Sequence, residues 1–292
     1  METGGLSLPD HEETERLVAL ALAEDVGRGD LTTGAIIPAD ARLDGVFRAR
    51  TDLVLAGLFF ARAVFRHLDP DIRLSACARE GEGLAPGDEI AEISGRAAPI
   101  LVGERTALNM MQHLCGIASV TRAYVSRLAG TGATLLDTRK TIPGLRQMEK
   151  YAVRAGGGTN HRQRLDDGVL IKDNHIAVAG SVAEAVRRAR VAGLDEIQVE
   201  CDTLAQVEAA IAAGAPRLLL DNMALEDMRE AVALARRSAP GGGRVLLEAS
   251  GGVSLETVRA IAETGVDFIS VGGALTLSAP AADIGLDYSP AR

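Results

Sequence analysis

Short apolar runs and longer amphipathic stretches alternate along the second half of the chain. The apolar runs are continuous, which is typical of parallel strands buried on both faces. They cover residues 134–137, 168–172, 196–200, 217–221, 244–248 and 267–272. Most stretches between them have helical spacing, with N-cap residues before and glycines after: 181–192, 203–213, 224–238 and 254–264. Repeated strand–helix units predict a parallel sheet, either open or closed into a barrel.

Polar or glycine-rich groups follow nearly every one of these apolar runs. In a (β/α) barrel, functional residues gather at the carboxyl ends of several strands, and phosphate often binds at the last two. An open doubly wound sheet would concentrate its site at one switch point, usually after the first strand. The glycine-rich turns come last in this chain, at residues 250–252 and 272–273. This order favours the barrel.

The first half of the chain has a different pattern. Helices are expected at 12–23, 58–67 and 104–128, and a turn at 29–33. Strand-like pieces lie at 45–50, 72–78 and 89–93, between glycine and proline turns. This pattern predicts a separate layer of helices and strands before the barrel.

Composition excludes several classes of protein. Hydrophobic residues make up 47% of the 292 residues but aromatics only 3%, so the core is aliphatic. The net charge of −9 argues against general nucleic-acid binding, which needs an extended basic face. No apolar run is long enough to span a membrane, and the N-terminus lacks the features of a signal peptide. Three widely spaced cysteines indicate reduced, mostly buried thiols in a cytoplasmic protein.

One stretch, residues 137–172, is basic within this acidic chain. It holds eight Lys or Arg against four Asp or Glu, a local charge of +4. Clustered cations inside a pocket bind carboxylates and phosphates at short range. For Arg146, Lys150 and Arg154, which are spaced by four, a solvated helix face is the more ordinary interpretation.

Several motifs in this region resemble those of the quinolinate phosphoribosyltransferase family, the decarboxylating nicotinate-nucleotide pyrophosphorylases. The matching segments are 137–146, 149–153, 156–158, 160–162 and 167–175, with support from 24–25, 29–33, 104–109, 248–252 and 269–272. The resemblance extends over residues 17–286. It implies an α/β fold, with an N-terminal α/β sandwich domain (1–116, the tail 277–292 packing back on it) and an incomplete, seven-stranded (β/α) barrel (117–276).

The same resemblance implies the reaction and the assembly. Quinolinate and 5-phosphoribosyl-1-pyrophosphate would react with Mg2+ as cofactor, giving nicotinate mononucleotide, pyrophosphate and CO2 in NAD synthesis. Family members are usually homodimers, or assemblies of dimers, in which the N-terminal region of one subunit completes the site of its partner.

The resemblance also implies roles for individual residues at the matching positions. Quinolinate would contact Arg139, His161, Arg162 and Lys172, with Arg105 from the neighbouring subunit. Phosphoribosyl pyrophosphate would contact Thr138, Lys140, Glu200, Asp221, Ser250, Gly251, Gly252, Val271 and Gly272. Glu200 and Asp221 would also hold the magnesium, directly or indirectly, and with Lys140 and Lys172 form the catalytic set. His113 and His175 are expected to be structural, and Gly273 is one residue more than the usual run at the second phosphate loop.

Three other functions stay open on the sequence alone. A related pyrophosphorylase-like protein linked to molybdenum transport shares much of the basic site. A Schiff-base aldolase would use Lys172 as its amine nucleophile. A phosphate-binding scaffold would need the cations but gives no reason for carboxylates at two strand ends.

Overall fold

The computed structural model describes residues 5–237 and 244–290, and these form two compact units. The first unit comprises residues 5–122, 142–157 and 278–290, and the second comprises 123–141, 158–237 and 244–277. The division predicted after residue 116 stays a prediction, because helix α4 (Ala97–Arg127) runs through that point without a break. The predicted end of the fourth barrel helix, at Ser238, lies outside the described residues.

The second unit is built on a six-stranded parallel sheet in the order β6-β11-β10-β9-β8-β7. Its strands are β6 (Thr134–Leu136), β7 (Val169–Ile171), β8 (Ile197–Cys201), β9 (Arg217–Asp221), β10 (Leu246–Ser250) and β11 (Phe268–Ser270). All six lie within two residues of their predicted bounds. The helices are α6 (Asp173–Ala179), α7 (Val182–Val191), α8 (Leu204–Ala212), α9 (Leu225–Arg237) and α10 (Val258–Ala262).

A single residue, Thr159, occupies the position of a further strand beside β6. Its N–H donates to Leu135 O at 2.9 Å, and its carbonyl accepts from Asp137 N–H at 3.1 Å. The seventh strand that the family resemblance implies is therefore reduced, in the described part of the chain, to one parallel bridge. The fold class is confirmed as an α/β fold with an incomplete barrel.

The first unit contains a four-stranded antiparallel sheet in the order β12-β1-β5-β3. The strands of this unit are β1 (Arg42–Ala49), β2 (Leu53–Val54), β3 (Arg73–Ala76), β4 (Gly83–Leu84), β5 (Glu89–Arg96) and β12 (Ile284–Pro290). Its helices besides α4 are α1 (His11–Val26), α2 (Leu31–Ile36), α3 (Leu58–Leu68) and α5 (Arg146–Ala155). Alternate residues of β1 are buried, as expected of a sheet with one face on the core.

Two local predictions in this unit are wrong. The turn expected at 29–33 is instead the start of α2, where the Asp30 carboxylate accepts from the backbone N–H groups of Thr32 and Thr33. The second is the solvated helix face expected for α5, because the side chain of Lys150 is fully buried.

Among the described residues, none of the helices combines the length and the apolar character that crossing a bilayer requires.

Candidate active site

The predicted site residues of the barrel all belong to the second unit and follow the carboxyl ends of its strands. Because parallel strands end at the same edge of a sheet, side chains at these positions are brought together. They are Thr138, Arg139 and Lys140 after β6, Lys172 after β7, Glu200 on β8, Asp221 on β9, Ser250, Gly251 and Gly252 at the end of β10, and Val271 and Gly272 after β11. His161 and Arg162 follow the bridge at Thr159. Arg105 is exposed on α4 in the first unit, and its part in a site stays a prediction.

Two half-buried arginines, Arg139 and Arg162, are close enough to repel each other. Burial lowers the pKa of the Arg162 guanidinium, the positive charge of Arg139 lowers it further, and Asp167 opposes both effects. The Arg162 Nη1 group also donates to Gly168 O at 2.8 Å, which fixes the direction of the side chain. Two like charges held together in this way form a site that favours a ligand with more than one negative charge.

The imidazole of His161 connects Arg162 to a carboxylate inside the barrel. Its Nδ1 accepts from the Arg162 N–H at 2.7 Å, so the ring carries its proton on Nε2. Nε2 lies 3.4 Å from Oε2 of Glu248, which is 1% exposed. Both ring nitrogens of His161 are thus engaged, and the ring positions the backbone of Arg162. The contact of His161 with quinolinate stays a prediction.

Glu248 was not singled out from the sequence as a site residue. Its Oε2 also accepts from Gln198 Nε2 at 2.8 Å. Burial raises the pKa of the Glu248 carboxyl, but the interactions with His161 and Gln198 outweigh burial and hold the pKa below its ordinary range. A charged carboxylate thus lies one layer below the strand ends. One feature of the sequence could have identified Glu248: it lies two residues before Ser250, on the same face of β10.

The Lys172 ammonium forms an ion pair with a predicted catalytic carboxylate. Its Nζ is 3.1 Å from Glu200 Oε2, with the lysine side chain 43% and the glutamate side chain 13% exposed. The backbone N–H of Lys172 donates to His175 Nδ1 at 2.9 Å, a contact that is compatible with the structural role expected of His175. His113 Nε2 lies 2.9 Å from the fully buried Glu149 of the first unit, which is likewise compatible with a structural role.

The other carboxylate, Asp221, ends the neighbouring strand β9. It accepts a hydrogen bond from Asn222 Nδ2 at 2.8 Å and forms no ion pair among the residues that the structure describes. No group of three or more potential metal ligands occurs in the described ranges. Two carboxylates on adjacent strands still suit Mg2+, which protein sites commonly bind through one or two carboxylates plus substrate phosphates and water.

Backbone geometry distinguishes the glycines of the last two loops. Gly251 and Gly252 have φ values of 87° and 60°, a region that other residues rarely adopt. At Gly272 an added Cβ would lie 2.8 Å from Lys140 Cδ, so the lysine side chain would have to shift. At Gly273 the nearest atom to such a Cβ would be 3.5 Å away, an ordinary contact. Gly272 is therefore the residue at which the chain and the Lys140 side chain approach each other closely.

A cavity of about 280 Å³ adjoins His161 and Arg162 within the second unit. Its wall includes the first residues of two strands, Arg217 and Phe268, so it reaches towards the amino ends of the strands. The Arg217 guanidinium stacks on the Phe268 ring at 4.8 Å from its centroid. A larger groove of about 640 Å³ in the first unit contains none of the predicted site residues.

Comparison with known proteins covers both units. The family model for the C-terminal domain of quinolinate phosphoribosyl transferase matches residues 117–287, and that for the N-terminal domain matches residues 30–115. The nicotinate-nucleotide pyrophosphorylase (carboxylating) of Mycobacterium leprae is 43% identical over 271 residues, covering 91% of this chain and 94% of the relative. The chloroplastic enzyme of that name from Arabidopsis thaliana is 40% identical over 305 residues, covering 97% and 85%. The solved nicotinate-nucleotide pyrophosphorylase of Francisella tularensis superposes with a TM-score of 0.89 at 38% identity, covering 98% of this chain and all of that one.

Proposed function

Because this chain belongs to the quinolinate phosphoribosyltransferase family, we propose that the strand ends of its second unit bind quinolinate and 5-phosphoribosyl-1-pyrophosphate together. The chain is an enzyme of NAD biosynthesis that transfers the phosphoribosyl group to quinolinate with loss of CO2, giving nicotinate mononucleotide and pyrophosphate. The relatives favour this activity over the aldolase and over the molybdenum-transport protein. The observation that carries the site assignment is the gathering of Arg139, Arg162 and Lys172 with Glu200 and Asp221 at the strand ends of one parallel sheet.

Quinolinate carries two carboxylates on adjacent ring carbons, so it requires at least two fixed cations close together. Arg139 and Arg162 meet this requirement, because both follow strand ends of the same sheet, the charge of Arg139 lowers the pKa of Arg162, and Gly168 O holds the Arg162 guanidinium. Lys172 can contribute a third positive charge once its ion pair with Glu200 is shared with the ligand. Binding the dianion relieves the repulsion between the two guanidinium groups.

Phosphoribosyl pyrophosphate is assigned to the other half of the site. The left-handed turn at Gly251 and Gly252 suits the close approach of a phosphate to backbone N–H groups, and Lys140 at Gly272 supplies a cation for its oxygens. Glu200 and Asp221 lie at adjacent strand ends, where carboxylates stabilise the positive charge that develops on the ribose ring.

The reaction needs no covalent nucleophile. The ring nitrogen of quinolinate forms a bond to the ribose C1′ as the C1′–oxygen bond to pyrophosphate breaks, and the pyrophosphate keeps the bonding electrons. The carbon–carbon bond to the adjacent carboxylate then breaks, CO2 leaves, and the electron pair on the ring carbon, beside the cationic nitrogen, accepts a proton. The residues act by positioning and by charge.

Magnesium belongs to this proposal as the cofactor. Asp221 and Glu200 would hold it, directly or through water, together with substrate oxygens, and the ion would neutralise charge on the departing pyrophosphate.

Assembly and location are part of the same proposal. The chain would form a homodimer, or an assembly of dimers, in the cytoplasm, with Arg105 completing the partner's site. Exposure of Arg105 on α4 and the three free cysteines are compatible with this arrangement.

Turnover tests the proposal directly. Purified protein with quinolinate, phosphoribosyl pyrophosphate and Mg2+ is expected to release CO2 and nicotinate mononucleotide in equal amounts. Arg162→Ala should abolish this release, whereas Arg187→Ala on α7, an exposed arginine paired with Glu184, should not change it. Absence of turnover by the unmodified protein, or full activity of Arg162→Ala, would overturn the assignment.

A further inference from the structure

The turn between β9 and α9 contains an unusual backbone conformation at Asn222. Its φ is 52°, and among the described residues other than glycine no other has a positive φ. Asparagine tolerates this left-handed region better than most residues, but glycine would adopt it more easily. Strained residues of this kind persist where the surrounding structure holds them, and they cluster at functional sites. The contribution of Asn222 therefore lies in its side chain.

Three contacts hold Asn222 between two strand ends of the site. Its backbone N–H donates to Ser250 O at 2.9 Å, which links the turn to the end of β10. Its side-chain Nδ2 donates to Asp221 Oδ2 at 2.8 Å. Its amide also packs on Gly251 so closely that a Cβ added to that glycine would overlap it. One exposed side chain thus connects a strand-end carboxylate with the glycine turn of the next strand.

These contacts restrict the Asp221 carboxylate. A hydrogen bond from Nδ2 to Oδ2 favours one rotation of the carboxylate and leaves Oδ1 without a hydrogen-bond partner in the described part of the chain. The amide packs against Gly251 and the backbone is bonded to Ser250, which limits the movement of the side chain. The carboxylate is therefore oriented before any ligand arrives, and a site that is ordered in advance binds with a smaller loss of entropy.

We propose that Asn222 is a positioning residue for phosphoribosyl pyrophosphate, acting by holding Asp221 in one orientation beside the glycine turn. The proposal rests on the function assigned above. It implies that Asn222 affects this substrate and not quinolinate, since the described contacts of Asn222 reach neither Arg139 nor Arg162.

Two substitutions separate the hydrogen bond from the backbone conformation. Asn222→Gly suits the positive φ and removes the amide, whereas Asn222→Leu keeps the approximate size of the side chain, adds no charge and removes the donor. Hydrogen bonds to charged groups are among the stronger ones, so each variant is expected to weaken binding of phosphoribosyl pyrophosphate, measured calorimetrically with Mg2+, by roughly tenfold or more. Affinity for quinolinate alone should stay at the wild-type value in both.

A double variant tests whether Asn222 acts through Asp221. In an Asp221→Ala background, adding Asn222→Gly should change the affinity for phosphoribosyl pyrophosphate by less than about twofold, since the group that the amide orients is already gone. Three results would overturn the proposal. The first is a double variant in which the two losses of affinity for phosphoribosyl pyrophosphate multiply. The others are equal losses of affinity for both substrates and wild-type affinity in both single variants. Failure of the wild-type protein to turn over would instead refute the function itself, so the two failures are distinguishable.

Discussion

Glu200 neutralises the Lys172 cation, which quinolinate is expected to contact. Removing the negative charge of Glu200 should therefore strengthen the binding of quinolinate but slow the reaction. Glu200 Oε2 lies 3.1 Å from Lys172 Nζ. In Glu200→Gln the ammonium loses this competitor, and quinolinate alone should bind more tightly. Turnover should fall by about tenfold or more, because the carboxylate that stabilises charge on the ribose is gone.

The size of the first effect follows from the geometry. A ligand carboxylate on the far side of the Lys172 ammonium would be roughly 6 Å from the Glu200 carboxylate, about twice the length of a charged hydrogen bond. Repulsion at that separation is about 0.7 kcal/mol in a medium like water and about 1.4 kcal/mol at half its dielectric constant. These energies correspond to roughly three- to tenfold in affinity. Exposure of 43% of the lysine side chain favours the lower part of this range.

Calorimetric titration with quinolinate, without the second substrate, measures this gain. Asp221→Asn is the matched control, since it removes a carboxylate from the adjacent strand end where no ion pair with Lys172 is formed among the described residues. The gain in Glu200→Gln should shrink as salt is added, because partly exposed charges are screened. Weaker quinolinate binding in Glu200→Gln, or the same gain in both variants, would refute the reasoning.

Three further predictions concern selectivity, acid stability and assembly. Nicotinic acid, with one carboxylate, should be poorer than quinolinate by roughly two orders of magnitude in kcat/KM, because part of the cationic charge stays unmatched; comparable values would contradict the dicarboxylate pocket. Glu248 has a folded pKa below its ordinary value of 4.5, so its stabilising effect is present above that pH and is lost as pH falls through the folded pKa. Glu248→Gln should therefore be less stable by about 1–3 kcal/mol in denaturant unfolding at pH 7, a deficit that shrinks below pH 4.5; a deficit independent of pH would refute this. Arg105→Ala and Lys172→Ala should each be inactive, but mixing them under subunit exchange should restore about a quarter of wild-type CO2 release if Arg105 serves the partner's site, and none if it does not.

The sheet of the second unit could be predicted because strands buried on both faces have continuous apolar runs. The seventh strand could not, because a single bridge at Thr159 has too few residues to form such a run. Helix α4 was expected to begin at residue 104 but begins at Ala97, so Pro99 lies in its first turn. Proline is tolerated in the first turn of a helix, where its missing N–H has no partner in any case.

Residues of the candidate site differ in how far the sequence reveals them. Those at strand ends, such as Glu200 and Asp221, could be named because a polar residue directly after an apolar run has a position that is known from the pattern alone. Lys150 has the spacing of a helix surface, and its burial depends on tertiary packing that spacing does not encode. Asn222 could not be recognised, because its importance depends on a positive φ and on the proximity of Gly251.

The position of Glu248 shows that residues beneath the strand ends can also be recognised from the sequence. Side chains two positions apart on a strand share a face, so the residue two before a strand-end group lies directly beneath it. Gln198 has this relation to Glu200 on β8, Glu248 has it to Ser250 on β10, and the two inner residues are hydrogen bonded at 2.8 Å. On β9 the corresponding residue beneath Asp221 is Leu219, which donates and accepts no side-chain hydrogen bonds, so the support of Asp221 has to come from another direction. The structure provides it in Asn222, the residue that follows Asp221 in the chain.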